Sequence, residues 1–446
     1  MMIERYRIEP MKSIWTELNK KKQWFKVVQA DLLAKENLGL APQGLYVLTK
    51  QVEITEELLK RADEIEKVTD HDAVAWLRAV IELLDKIDPR IAVYFYQGLT
   101  SFAMEDTALM LMLLESLDLI QVKLGYLRQV LLKKAIDHRY TLQVARTHLA
   151  HAKPITFGLS ILEWVDVIDR HIKWLDFARE DLKVGKFSGA VGTYAIDPRI
   201  EEKACEHLGL RPAKISTQIL SRDRLVHLAM VLIGISNSLD RFAENIRILS
   251  GTDICEVAEF KKPGAKGSSA MPGKSRLGNP IKSENVCSLA KVARGFYVPA
   301  LECEPVLLQR TLDNSAAERI YLPDLIETVD FMLWRFADTM EKLEVFPEQM
   351  KRNIWRTGGI IFAEDLMVAM SLRGMPRNDA YDHLEALTLK VEKGGSFRTK
   401  DGLTFKDLVS KDPLVNQLLS PEEIDQCFDP EKVFESVDYT FARFGL

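Results

Sequence analysis

Residues 217–250, TQILSRDRLVHLAMVLIGISNSLDRFAENIRILS, decide the fold class. Ile219, Leu220, Leu225, Leu228, Val231, Leu232, Ile235, Leu239, Phe242, Ile246 and Leu249 recur at spacings of three and four, the period of one helical face. No proline interrupts them, and Gly234 is the only glycine. At 1.5 Å per residue this helix would run roughly 50 Å. Four more stretches repeat the pattern: 106–136, rich in Leu and Met, then 156–184, 284–312 and 322–342. Pro299 is expected to bend the third of these four. Helices this long exceed the globular average and rarely bury their apolar faces within one subunit. The expectation is an all-α protein with an elongated central long-helix bundle, associating through apolar residues on further faces.

The flanks differ. Residues 1–96 carry shorter helical patterns, broken at Gly39, Pro42, Gly44 and Pro89. Residues 346–446 show short helices separated by Gly358-Gly359, Gly374-Met375-Pro376, Gly394-Gly395 and Pro421. Three domains are expected: an N-terminal helical domain at 1–96, the bundle at 97–345 and a C-terminal helical domain at 346–446. Strand alternation is scarce, and 395–403 is the one stretch read as a small hairpin.

Composition narrows the function classes. The 446 residues are 47% hydrophobic and 28% charged, ordinary for a soluble globular protein. A net charge of −5 favours neither nucleic acid nor an anionic membrane. Five scattered cysteines without a C-x-x-C spacing argue for a reducing compartment, and against a disulfide framework or a zinc site. The opening MMIERYRIEPMKS lacks the apolar core of a signal peptide, and no apolar run of about eighteen residues predicts a membrane span. A cytoplasmic protein is expected.

The chemistry gathers in a loop of about twenty residues at 261–283, between two periodic stretches; long structureless loops in compact proteins are usually functional or disordered. Its heart, continued to Glu284, reads GSSAMPGKSRLGNPIKSE, residues 267–284. Gly267, Gly273 and Gly278 tolerate positive φ, and Pro272 and Pro280 break regular hydrogen bonding. Four other polar clusters stand apart: Thr100-Ser101 after Gly98, Arg146-Thr147-His148, Ser216-Thr217-Gln218, and Arg310 with Ser315 and Arg319. Singly, each has an ordinary explanation, such as a helix cap or a salt-bridged helix terminus.

Their joint order, TS, RTH, STQ and GSSxMPxK, resembles the fumarase/aspartase superfamily of lyases, whose signature is the serine loop. Within it the chain is most similar to the adenylosuccinate lyase family, nearly end to end. That similarity rests on IERYRIEPMKSIWTELNKKKQW, VTDHDAVAWLRAVIE, ARTHLAHAKPITFG, SGAVGTYA, STQILSRDR, QRTLDNSAAERIYLPD and VFPEQMKRNIWRTGGIIFAEDLMVAM. The resemblance implies anti β-elimination of fumarate from adenylosuccinate and from SAICAR, in active sites shared between subunits of a homotetramer. The alternative is release of fumarate from another N-substituted succinate. Neither a metal nor an organic cofactor is implied.

It also implies roles. Ser268 is the base, His148 the general acid, Glu284 the residue orienting it, and Lys274 and Asn279 hold the succinyl carboxylates. His71, Gln218, Thr100, Ser101 and Thr147 position the substrate, with Ser269 and Met271 on the loop. Arg310, Ser315 and Arg319, with Arg5 and Tyr6, take the nucleotide phosphate, which arginine's planar fork suits better than lysine. The chain departs from the family pattern in three places. Ser275-Arg276-Leu277-Gly278 separates Lys274 from Asn279 by three residues more than usual, so Arg276 becomes a further candidate for a carboxylate contact. Tyr96 stands where histidine is common, and Phe102-Ala103-Met104 replaces the usual aspartate after Thr100-Ser101.

Overall fold

Helices carry most of the chain in the computed structural model, which describes residues 2–274, 278–392 and 396–446. Six organise it: α1 (Glu17–Asn37), α2 (Ser101–Asp137), α3 (Phe157–Leu182), α4 (Asp223–Leu249), α5 (Ile281–Gly295) and α6 (Ser315–Glu341). The all-α expectation holds, with only short strands beside the helices among the described residues. Two compact units emerge. One comprises Met1–Tyr126, Ile168–Arg241 and Asn285–Arg335; the other comprises Leu127–Val167, Phe242–Glu284 and Phe336–Leu446.

The helix ends depart from the periodicity in instructive ways. α4 begins at Asp223, not at 217. Ile219 and Leu220 are buried from an irregular segment, where the Leu220 amide donates to Asp106 Oδ2 at 2.8 Å. Apolar spacing cannot tell such a segment from a helical turn. The pattern at 284–312 breaks at Gly295, and a short helix, Tyr297–Glu302, follows. Pro299 therefore bends no long helix; it sits in the first turn of a short one, where its missing N–H costs little. α6 starts at Ser315, earlier than 322, and runs through Pro323. Its extra turns are built from Ala316, Ala317, Glu318 and Arg319, all good helix formers. α4 is also long and apolar enough to cross a membrane, which the sequence did not lead us to expect. Its Leu228, Leu232, Ile235, Leu239 and Ile246 are fully buried, so that apolarity serves a protein core.

In the first unit the core forms where α1 meets the helices Glu56–Thr69 and Asp72–Ile87. Trp24 and Trp76 meet edge to face at 5.6 Å, and Val27, Val28, Val80 and Leu84 fill around them. Thr16 and Thr55 cap two of these helices through their hydroxyls, satisfying otherwise unpaired amides. A buried ion triad completes the unit. Arg222 takes Asp106 bidentately at 2.8 and 2.9 Å and Glu318 at 2.9 and 3.1 Å.

The second unit holds an unexpected β-hairpin. β1 (Leu142–Thr147) pairs antiparallel with β2 (Ala150–Thr156), with a register shift between Val144 and Arg146. Its two-residue turn is His148-Leu149, with φ of 53° and 65°. That pair of positive values fits the hairpin-favouring primed turn, which normally selects Asn or Gly. The hairpin read at 395–403 does not form among the described residues, where a turn closed by Thr399 and Leu403 stands instead; Gly395 lies outside them. Leu142 and Val144 join Ile354, Phe362, Leu366, Leu384, Phe405 and Phe428 in this unit's core.

Glu256 anchors the hairpin. Fully buried, it accepts from Gln143 Nε2 at 2.7 Å, Arg146 at 2.6 and 3.3 Å, and Asn353 Nδ2 at 2.8 Å. Removing one partner of a buried ion pair strands the other's charge, at about 3–5 kcal/mol. Glu256→Ala is therefore expected to lower unfolding stability by about that much, and Glu256→Gln by less, in urea titrations. A loss under about 1 kcal/mol for the alanine variant would contradict the anchoring role.

Candidate functional site

The expected residues divide between the two units. The second unit carries Ser268, Ser269, Met271, Lys274, Asn279, Glu284, Thr147 and His148. Ser268 lies in the irregular loop, and its Oγ accepts from the Ala270 and Met271 amides at 3.3 and 3.1 Å. Two N–H groups aimed at one hydroxyl oxygen favour negative charge on that oxygen. Ser269 and Met271 are exposed, Lys274 ends a one-turn 3-10 helix, and Asn279 accepts the Ile281 amide at its carbonyl. Arg276 lies outside the described residues.

Glu284 stands exposed in the first turn of α5. That turn is held by Glu259, a buried carboxylate that accepts from the Lys282 amide at 3.0 Å and from the Ser283 amide and hydroxyl at 2.7 Å each. His148 and Thr147 are exposed at the hairpin tip. A left-handed backbone at a histidine is a strained state that persists only where the surroundings enforce it. Here the Arg146–Glu256 ion pair fixes the strand two residues before it. Among the described residues no hydrogen bond or ion pair links His148 to Glu284 or Ser268.

The first unit carries His71, Arg5, Tyr6, Thr100, Ser101, Gln218, Arg310, Ser315 and Arg319. Ser315 and Arg319, one helical turn apart on α6, line a cavity of about 730 Å³ with Phe102, Glu105, Asp72, Lys20 and Lys21. Arg319 Nη2 reaches Asp72 Oδ2 at 3.0 Å and Glu105 Oε2 at 3.2 Å. His71 is the residue before Asp72 and stands at the N-cap position of its helix. Arg5 and Tyr6 form a one-turn helix at the start of the chain, with Tyr6 edge-on to Phe331 at 5.3 Å. Arg7, unnoticed in the sequence, pins that segment through Glu327 at 2.7 Å.

The remaining residues hang on the ion triad. Asp106 holds the Leu220 amide, which steadies the Ser216-Thr217-Gln218 segment; the Gln218 amide also donates to the Gln309 carbonyl at 3.3 Å. Glu318 accepts from Asn314 at 2.6 Å, and Asn314 accepts from Arg310 Nη1 at 2.9 Å. Thr100 and Ser101 lie at the head of α2, with the Thr100 hydroxyl buried and without a partner among the described residues. Burial, and then Glu105, hold the Tyr96 hydroxyl well above the ordinary tyrosine range, so it stays a neutral donor. Asp106, Arg222, Glu256, Glu259 and Glu318 were all missed by sequence reading. Their one visible trace is charge inside apolar or irregular stretches, as in ICEVAEF at 254–260.

Long helices and a serine loop whose amides face the hydroxyl define a lyase of the fumarase/aspartase class. A family model described as Lyase matches residues 6–295, and one described as Adenylosuccinate lyase C-terminus matches 359–444. Adenylosuccinate lyase of Bacillus subtilis (strain 168) is 39% identical over 447 residues, covering 100% of both chains. The chain belongs to the adenylosuccinate lyase family. Among solved structures, the 3-carboxy-cis,cis-muconate lactonizing enzyme from Pseudomonas putida is similar at a TM-score of 0.87 and 27% identity, covering 98% of this chain and 96% of its own. A fumarate lyase from Mesorhizobium sp. BNC1, at 0.86 and 22% over 98% and 99%, shares the fold.

Burial, and then Asp72, push the Glu105 carboxyl up to about 7, against the pull of Arg319 and Lys20. A carboxyl whose folded value lies above its unfolded one contributes its full stability below the unfolded value of about 4.3. It loses that contribution as pH rises through its folded value. Wild type should therefore lose stability relative to Glu105→Gln between pH 5 and 7.5, read as urea midpoints. A difference that does not change with pH would show that Glu105 does not titrate in this window.

Proposed function

We propose that this chain eliminates fumarate from adenylosuccinate, leaving AMP, and from SAICAR, leaving AICAR, as a soluble cytoplasmic enzyme of purine nucleotide biosynthesis. The observation that carries the reading is the pair of amides on Ser268 Oγ. A serine hydroxyl is far too weak an acid to serve as a base unless its alkoxide is stabilised, and these donors supply part of that stabilisation.

In the proposed reaction the Ser268 alkoxide takes the proton from the carbon β to the departing nitrogen. The electron pair left on that carbon delocalises into the adjacent carboxylate, held by Lys274 and Asn279. The C–N bond then breaks, the pair forms the double bond of fumarate, and His148 delivers a proton to the leaving nitrogen. Histidine suits that step because its ordinary pKa lets it hold a proton near neutrality. Glu284 orients His148. His71, Gln218, Thr100, Ser101, Thr147, Ser269 and Met271 surround the substrate, and Arg5, Tyr6, Arg310, Ser315 and Arg319 bind the phosphate.

Residues of the two sets lie on separate segments, and among the described residues no bond joins His148, Glu284 and Ser268. A site assembled from several chains of a homotetramer accounts for both facts. Exposed apolar residues on the long helices support association: Trp174 and Phe177 on α3, Met230 and Ile248 on α4, and Val292 on α5. The three-domain reading, 1–96, 97–345 and 346–446, belongs to the same proposal.

Spectrophotometric assay of the purified protein with adenylosuccinate is expected to yield fumarate and AMP. Ser268→Ala should lose at least 10³-fold in kcat while keeping its fold and oligomeric state, since the step has no other base. A folded oligomer that leaves adenylosuccinate intact but releases fumarate from another N-substituted succinate would overturn the substrate assignment.

A further inference from the structure

One turn of α2 holds three arginines. Phe102, Glu105 and Asp106 stand at i, i+3 and i+4, so their side chains share a helix face. Asp106 grips Arg222 with two oxygens, and Glu105 takes Arg319. Phe102 meets Arg310, with the guanidinium carbon 3.7 Å from the ring centroid. Phe102 is only 7% exposed, so its ring is fixed by its surroundings.

The three supports differ chemically. A carboxylate holds an arginine by occupying its N–H groups. A phenyl face holds it through the ring's quadrupole and accepts no strong hydrogen bond, leaving the N–H groups free. That is the state of Arg310. Its Nη1 donates to Asn314, while Nε and Nη2 are shielded from solvent and lack a partner among the described residues. Nε and Nη2 form one edge of the guanidinium, the edge that can meet two oxygens of a phosphate in parallel. Buried donors without partners are costly, so a standing unpaired edge points to a ligand that fills it. Glu318, two bonded steps away through Asn314, fixes the other side of the same group.

We propose that Phe102 is a positioning residue for the nucleotide phosphate, its ring holding Arg310 with the Nε–Nη2 edge open to two phosphate oxygens. The role rests on the phosphate reading of Arg310 given above. A phosphate far from the breaking C–N bond contributes equally to ground and transition states, so losing its support raises KM and leaves kcat alone. A residue that only filled core volume would instead change stability, without singling out the phosphate.

The test uses the full-length enzyme and the variants Phe102→Leu, Phe102→Tyr and Arg310→Ala. Steady-state kinetics with adenylosuccinate are paired with calorimetric binding of AMP and of adenosine, which lacks the phosphate. Phe102→Leu should raise KM and the AMP Kd together by about 2- to 30-fold, the range a cation–π contact supports. Its kcat should stay within about twofold, and adenosine binding should not change. Phe102→Tyr keeps the ring face and should behave as wild type. In an Arg310→Ala background Phe102→Leu should have no further effect on AMP binding, as two residues acting through one contact require. If Phe102→Leu does not fold, Phe102→Met carries the same expectations.

An unchanged AMP Kd, an equal loss for adenosine, or additive effects with Arg310→Ala would each overturn the proposal. If wild type converts adenylosuccinate normally while the variants give such results, the functional reading is spared. Wild type that neither turns over adenylosuccinate nor binds AMP would bring down that reading first, and this one with it.

Discussion

The structure of the first unit depends on one buried guanidinium. Arg222, just ahead of α4, is clamped between Asp106 on α2 and Glu318 on α6, three segments far apart in the chain. All three side chains are nearly inaccessible to water. Burying ions costs several kcal/mol each, so such a group survives only when geometry and extra hydrogen bonds offset the desolvation. Here Asp106 also takes the Leu220 amide, and Glu318 also takes Asn314. Burial opposes the Arg222 charge, but the two carboxylates win and hold its pKa above even the ordinary arginine value. The result is a rigid junction from which the Gln218 segment and Arg310 both project.

The second unit repeats the principle with a carboxylate at the centre. Glu256 gathers an amide from the hairpin, a guanidinium from the hairpin and an amide from the helix Pro347–Ile354. This clamp lets a His-Leu pair occupy a turn that its residue types disfavour, and so displays His148 at the tip. Glu259 does the same for Glu284 by satisfying the open amides of α5. In each unit the polar groups of the candidate site are carried by a charge that is nearly inaccessible to solvent. His148 and Glu284 are thus set on stiff supports, as positioned catalysis requires.

Much of the fold was legible because helical periodicity survives in residues that pack against a core on one face. Where that failed, the reasons are specific. Ile219 and Leu220 are apolar for the core's sake without being helical. The ARTHLAHAKPIT hairpin shows neither clean alternation nor a Gly or Asn at its turn, so nothing local announced it. The membrane-like apolarity of α4 comes from burial within the protein and not from lipid. The candidate site stood out in the sequence as an ordered set of polar clusters, but its supports did not. A buried Glu256 and an exposed glutamate look alike in a sequence, because burial is a property of the packed chain.

By itself the sequence determined the all-α class, four of the five long helical stretches, the serine loop and the residue types able to handle a succinate and a phosphate. These follow from local pattern and from side-chain chemistry, which each residue carries wherever it lies. Only the tertiary structure decided that Arg222 and Glu256 are the junctions, and that Arg310 rests on Phe102 with one edge unpaired among the described residues. Those facts are long-range pairings between segments up to about two hundred residues apart, here Phe102 and Arg310. No local pattern encodes them, because their energies depend on which groups the fold removes from water together.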